Sequence, residues 1–403
     1  MIRARWLAVT LGALVVCLVA VFVAAAGRAG DAASSPISPP GGWELLLILA
    51  GLGSFAAYVA TLLVLRRTRG PLVAIVALGV ALQLLPLLGP TLLSRDTYTY
   101  WAYGRVGAVH GSNPYEDAPA AWPNDPATIR MGSSWREQPS LYGPVFTALS
   151  EGIAAVAGES ERRAALLFRT LAAVSIIAIV LLVTKLAREP ALAAALVGLN
   201  PLVAIHFGGG GHNDALMMAL VLAALVLHQR GRTALGGVTW AIASLVKWVP
   251  LAFLGLLALG DRPRHERRLV AWTTFSLVGL SVAATLEYGS EWFGAAERLS
   301  EQARRTSSIG LAGWLGDVGL SHRPTVVVIG LLTLVAAAWL GAQAWRGRVR
   351  LGLAGVLLAA LQGWLNPWYA LWGLSLSAAD EDRTAQVLAV ALSGFLLLDA
   401  LPT

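Results

Sequence analysis

Nine stretches of this chain, near residues 6–26, 43–65, 71–93, 164–184, 190–206, 214–229, 269–287, 324–345 and 384–400, are apolar over lengths suited to the ~30 Å hydrocarbon core of a bilayer. Lipid offers no partners to backbone N–H and C=O groups, so segments of this length must satisfy them internally as helices. The expected fold class is an all-α polytopic membrane protein, and 57% apolar against 13% charged residues exclude an ordinary soluble domain. Two further apolar stretches, 233–260 and 351–378, are too long for one crossing and are interrupted by polar or Pro residues. Each reads as two short helices meeting at 247–250 and at 366–368, because broken backbone at membrane depth persists where it lines a protein cavity. The count is then thirteen crossings.

The net charge of +7 resides in Arg clusters between apolar runs, which is a topology signal and not a nucleic-acid footprint. Residues 143–158, "GPVFTALSEGIAAVAG", contain Glu151 and would extend only ~24 Å as a helix, so they read as re-entrant or interfacial. That choice puts seventeen Lys and Arg residues of the termini and short loops on one side, from Arg3, Arg5, Arg66, Arg67 and Arg69 through the 262–268 cluster to Arg383. Only Arg28 and Lys247 fall in short loops opposite, which makes the crowded side cytoplasmic. Two long loops, 94–163 and 288–323, and the turns at 207–213, 247–250 and 366–368 then share the outer face. Residues 6–26 follow Arg3 and Arg5 and read as a retained anchor, not a cleaved signal. The single cysteine, Cys17, excludes disulfides and Cys-based metal sites. The Pro/Ser/Gly-rich stretch 31–42 is the one linker, and the chain reads as a single transmembrane domain over 1–403, with N-terminal helices in 1–70.

The outer face holds every unusual polar motif. In "SRDTYTYWAYGRVGAVHGSNPY", 94–115, a carboxylate, Asp96, stands at the exit of a span beside Arg95. Interfacial solvation and an aromatic belt would explain Asp96, Tyr98, Tyr100, Trp101 and Tyr103 singly. The stiff turns at Asn113 to Tyr115 and around Tyr142 in "LYGP" make a merely solvated loop a poor account. In "GGGGHNDALMM", 208–218, Asp214 suits a helix N-cap, but that leaves His212 and Asn213 unexplained. His206 and His212 match no standard metal-ligand spacing, and the glycine run lacks the Gly-Lys-Ser/Thr of a P-loop. Neither a divalent cation nor another cofactor is indicated. Lys247 in "SLVKWVP" and Arg169 inside the fourth span are snorkelling cations or partners for an anion at the outer leaflet. Trp368 and Tyr369 in "LNPWYALW" are belt residues or part of a cavity wall.

In this order and on one side, Asp after a span, "NPY", "YGP", "HND", Lys before Pro in a short hairpin and "PWY" resemble the membrane glycosyltransferases of the GT-C superfamily. Within it, "LNPLVAIHFGGGGHNDALMM" is most similar to actinobacterial polyprenol-phosphomannose-dependent α-1,6-mannosyltransferases of lipoglycan synthesis in the cell envelope. The resemblance covers residue 71 to the C-terminus and implies inverting transfer of a hexose, mannose above all, outside the plasma membrane. The donor would be a polyprenyl-phosphate-linked sugar and the acceptor a glycan or glycolipid. It implies Asp96 as base toward the acceptor hydroxyl; Lys247, Arg95 or Arg169 as phosphate holders; and His212, Asn213 and Asp214 as orienting groups, with His212 or Asp214 sharing in proton transfer. Tyr98, Trp101, Tyr103, Asn113, Tyr115, Tyr142, Trp368 and Tyr369 would contact sugar or isoprenoid. A transporter or flippase for lipid-linked sugars is the competing class, since broken helices and intramembrane charge serve it too.

Overall fold

The computed structural model describes residues 2–68, 70–260 and 264–402; Arg69 and Arg262, and the side chains of Arg3 and Arg264, lie outside that description. Its elements are helices throughout the described residues: α1 (Ile2–Ala26), α2 (Trp43–Leu65), α3 (Leu72–Leu84), α4 (Asp96–Ala108), α5 (Pro126–Arg130), α6 (Pro144–Ala157), α7 (Glu161–Leu186), α8 (Pro190–Gly198), α9 (Pro201–Val203) and α10 (Asp214–Gln229). The second half adds α11 (Thr233–Val246), α12 (Pro250–Leu259), α13 (Arg264–Tyr288), α14 (Gly294–Ala303), α15 (Gly310–Asp317), α16 (His322–Trp345), α17 (Leu351–Ala360), α18 (Ala370–Asp380) and α19 (Arg383–Asp399).

By length and composition five described helices can cross a membrane alone, namely α1 from Arg5, α2, α7, α13 from Arg267, and α16. A sixth span is bent by 46° between Pro190–Gly198 and Pro201–Gly209. Pro201 removes a backbone donor at that bend, and the Asn200 side chain caps the restart by accepting from the Val203 N–H at 3.3 Å. The remaining expected crossings are short. A helix the length of α12 or α17 extends only ~15 Å, half the hydrocarbon thickness, so these pieces depend on protein neighbours.

Three boundaries differ from the sequence expectation. The apolar run 71–93 stays helical only to Leu84, a 3-10 turn follows over Leu85–Leu88 at Pro86, and Leu93 takes φ 60°. The segment before Asp96 is instead pinned by Leu92 N–H to Gly209 O (3.0 Å) and Leu93 N–H to Ala32 O (2.7 Å). The loop 94–163 carries α4, α5 and α6, and Asp96 opens a helix. The C-terminal break is wider than three residues, because α17 stops at Ala360 and α18 starts at Ala370.

The glycine run has a packing cause. A Cβ on Gly208 would stand 2.6 Å from Gln83 O, and one on Gly209 2.8 Å from Leu92 Cδ1. Gly211 adopts φ 76° with Thr97 Cγ2 only 2.4 Å from its virtual Cβ. Only glycine lets this π-helical turn (Ala204–Gly209) and its exit press against α3 and the start of α4. His212 is thereby delivered beside Asp96. Likewise Gly143 lies against Leu245 O (2.0 Å from a virtual Cβ), seating Tyr142 at the end of α11.

Each of α10, α11, α17 and α18 has one end in the group of residues 212–214, 247–250 and 361–372 and the other near an Arg cluster. The cationic end is tied by Arg350 to Asp382 (2.7 Å) and by Arg66 to Gln386 (3.5 Å). The polar motifs and the Arg clusters therefore occupy opposite ends of these helices.

Candidate active site

Asp96 begins α4, with its backbone N–H donating to Ser94 Oγ at 3.1 Å. Its Oδ2 faces His212 Nδ1 at 3.1 Å and accepts from the Tyr100 hydroxyl, one turn along the same helix, at 3.4 Å. The His212 ring lies flat on Trp368, with centroids 3.7 Å apart and 18° between planes. Stacking and the Asp96 contact together fix the imidazole. Its Nε2 has no hydrogen-bond partner among the described residues. Burial works to raise the Asp96 pKa, but the hydrogen bond and field of His212, the field of the Lys247 ammonium and the Ser94 contact outweigh it and hold the carboxyl below the ordinary range.

A second ionic pair lies nearby. Asp214 is 1% exposed and accepts from Lys247 Nζ at 2.8 and 3.0 Å and from Trp372 Nε1 at 2.8 Å. Lys247 is the residue at which α11 stops, before Pro250 starts α12. Its ammonium is also 5.1 Å from the Tyr369 ring and 5.9 Å from Trp372, within cation–π range. An ammonium has three donors and Asp214 takes two directions, so one remains for a ligand.

One member of each pair, Asp96 and Lys247, lines a cavity of about 410 Å³, inside the usual span of ligand sites, while His212 and Asp214 stand buried behind them. Asp96, Tyr142, Asn213, Lys247, Trp368 and Tyr369 line it, as the sequence expectation has them together. Asn213 brings both side-chain polar atoms unpartnered among the described residues. Tyr100 and Trp372, from the aromatic motifs at 98–103 and 365–372, complete the aromatic wall with Trp135, Trp248 and Trp364, which were not singled out from sequence. Tyr100 reads from sequence as a belt or sugar-facing residue, and the helix over 96–108 adds its contact with Asp96, four residues back on the same face.

Seven other candidates are placed away from the cavity. The Arg169 guanidinium is consumed by backbone carbonyls, donating to Gly208 O (2.9 Å), Gly89 O (3.1 Å) and Pro86 O. It clamps the turn after α3 to the glycine run, is buried, and does not line the cavity. Arg95 pairs with Asp31 and reaches Arg130 O, on the far side of the helix start. Tyr98 bonds Thr91 at 3.4 Å under Arg130, while Trp101 and Tyr103 are buried core residues. Asn113 donates to Tyr288 O at 2.8 Å, and Tyr115 donates to Tyr142 O at 2.8 Å and meets Thr147 at 2.9 Å. These last two are latches that hold the outer loop to α13 and α6. No three His, Cys, Asp or Glu side chains among the described residues are grouped so that they could hold a metal ion.

Fold and cavity together define a multi-pass, all-α membrane protein whose ionisable machinery is gathered at one end of its helices. Residues 6–260 match the model of the alpha-(1->6)-mannopyranosyltransferase N-terminal domain, and the chain belongs to that family of mannosyltransferases. It is 29% identical to a probable alpha-(1->6)-mannopyranosyltransferase of Mycolicibacterium smegmatis, across 74% of this chain and 63% of the relative. Against alpha-(1->6)-mannopyranosyltransferase B of Corynebacterium glutamicum the figures are 29%, 85% and 63%. An alpha-(1->6)-mannopyranosyltransferase of Mycobacterium tuberculosis is 27% identical, across 78% of this chain and 67% of its own length. The chain thus spans a little under two thirds of the first two relatives. No solved structure matches it.

Proposed function

We propose that this chain transfers mannose from a polyprenyl-phosphate-linked donor to a mannoside acceptor at the extracytoplasmic face of the plasma membrane, with inversion at the anomeric carbon. The carrying observation is that one cavity holds both a carboxylate braced by His212 and an ammonium with a donor to spare. The relatives' names supply mannose and the α-1,6 linkage.

In this reading the acceptor oxygen attacks C1 as the C1–O(phosphate) bond breaks, and Asp96 takes the hydroxyl proton. A carboxylate held low is ionised at neutral pH but weakly basic, so it takes the proton late, once the new C–O bond has made the hydroxyl acidic. The leaving polyprenyl phosphate already carries a negative charge and needs a cation more than an acid. Lys247 serves that need, and Asp214 and Trp372 position it. His212 holds the Asp96 carboxylate in the orientation that meets the acceptor. Asn213 offers two donors and an acceptor to sugar hydroxyls.

The test is Asp96→Asn, which keeps shape and loses the proton acceptor. Turnover with polyprenyl-phosphomannose and a mannoside should fall by roughly 10²- to 10⁴-fold with donor binding retained. Turnover equal to wild type in a folded Asp96→Asn protein would remove the base from the mechanism.

A further inference from the structure

The cavity lining mixes apolar side chains with amides. On α14, Leu299 and Gln302 line it one turn apart, and at the end of α17 Leu358 and Gln362 do the same. Gln302 lies in the last turn of α14 and Gln362 two residues past α17, and Gln302 Oε1 has no partner among the described residues. Trp135 and Trp364 line the same cavity, with parallel rings (7°) and centroids 6.0 Å apart. Arg305 bridges the two, its guanidinium carbon 5.3 and 5.2 Å from their centroids. The segment after Arg305 is docked onto the break beyond α17: Ser307 N–H donates to Gly363 O at 3.0 Å, and Gly310, at φ 70°, lies 2.7 Å (virtual Cβ) from Leu365 Cδ2. The ledge is therefore built from three separate parts of the chain and held rigid.

An isoprenoid tail needs only apolar surface, which Leu299, Leu358, Trp248 and Val249 of the lining supply. A pyranose has an apolar C–H face ringed by hydroxyls, so it calls for aromatic planes set among amide and guanidinium groups. The Trp135–Trp364 ledge has that composition. We infer that it is an acceptor subsite, taking mannose units of a growing glycan beyond the one that reacts, so that the cavity reads acceptor chain length. This rests on the transfer reaction proposed above and adds the residues that would contact acceptor units beyond the reacting one.

The experiment compares purified full-length wild type, Trp364→Ala, Trp364→Tyr and Arg305→Gln, using polyprenyl-phosphomannose and α-1,6-mannosides of one to four units. For Trp364→Ala the ratio of kcat/KM with tetramannoside to kcat/KM with monomannoside should fall about tenfold, the size of one lost aromatic contact. The fall should sit in the acceptor KM, and Trp364→Tyr should recover most of it. A uniform loss across lengths, or a rise confined to the donor KM, overturns the subsite and assigns the ledge to folding or to the lipid. Saturation-transfer NMR with free tetramannoside and no donor separates the two proposals. If wild type transfers nothing but binds tetramannoside through a contact that Trp364→Ala abolishes, the subsite stands and the reaction is wrong. If wild type and Trp364→Ala give the same signal, the subsite is wrong whatever the reaction.

Discussion

Removing the Lys247 ammonium should cost more in folding than removing its partner's charge. Asp214 is 1% exposed and its carboxylate has Lys247 and the Trp372 N–H as partners, so Lys247→Met strands a buried anion, at about 3–5 kcal/mol. Asp214→Asn is milder, because it keeps an acceptor for Trp372 and leaves an ammonium that is 15% exposed to the cavity and faces two aromatic rings. Its cost is that of one charged hydrogen bond, about 1.5–3 kcal/mol. Replacing both removes the uncompensated charge, so the double variant should return to within about 1 kcal/mol of wild type. Against a total stability of about 5–15 kcal/mol these are measurable steps. Unfolding in mixed micelles gives the three stabilities, and donor kinetics on the same preparations give the function. The double variant should be stable yet fail to use the lipid donor, which separates the lysine's phosphate role from its structural one. Donor kinetics like wild type in the double variant would refute Lys247 as the phosphate cation. A double variant as unstable as Lys247→Met would refute the buried-pair argument.

Three further outcomes follow from particular contacts. Because Asp96 is held below the ordinary carboxylate range, kcat/KM should stay level from neutrality downward and fall only at pH below that range, where the base becomes protonated; His212→Ala removes two of the lowering influences and should move that acid limb upward, and an unmoved limb would deny His212 this influence. Arg169→Ala takes a donor from three carbonyls, of which Pro86 O keeps the Gly89 N–H at 2.9 Å, and each acceptor left buried and unpaired costs about 1–3 kcal/mol, so thermal stability should drop while donor KM barely changes; a selective donor defect would return Arg169 to the phosphate site. A reporter fused after Arg188 should read cytoplasmic and one after Gly319 external, and the reverse result would place the cavity on the cytoplasmic side.

Much of this protein was legible in one dimension because bilayer physics writes itself into composition. Twenty-residue apolar runs, the Pro250 break after Lys247 and the one-sided arginines fixed the helices and the end at which the polar motifs gather. Asp96, His212, Asn213 and Lys247 stood out because ionisable or amide groups at span ends are costly without a partner. What each is bonded to was not legible. Pairing is set by where a bent helix, a run of glycines without room for a Cβ and two half-length helices bring residues more than a hundred positions apart, as with Asp96 and His212 or Asp214 and Trp372. Arg169 shows the same limit from the other side: a buried cation reads as a phosphate ligand in sequence, and only the tertiary structure reveals three carbonyls already holding it. The aromatic residues divide likewise. Trp101 and Trp364 look alike in sequence, but one faces the core behind α4 and the other the cavity, because backbone direction and helix packing, not residue type, decide which way an indole points.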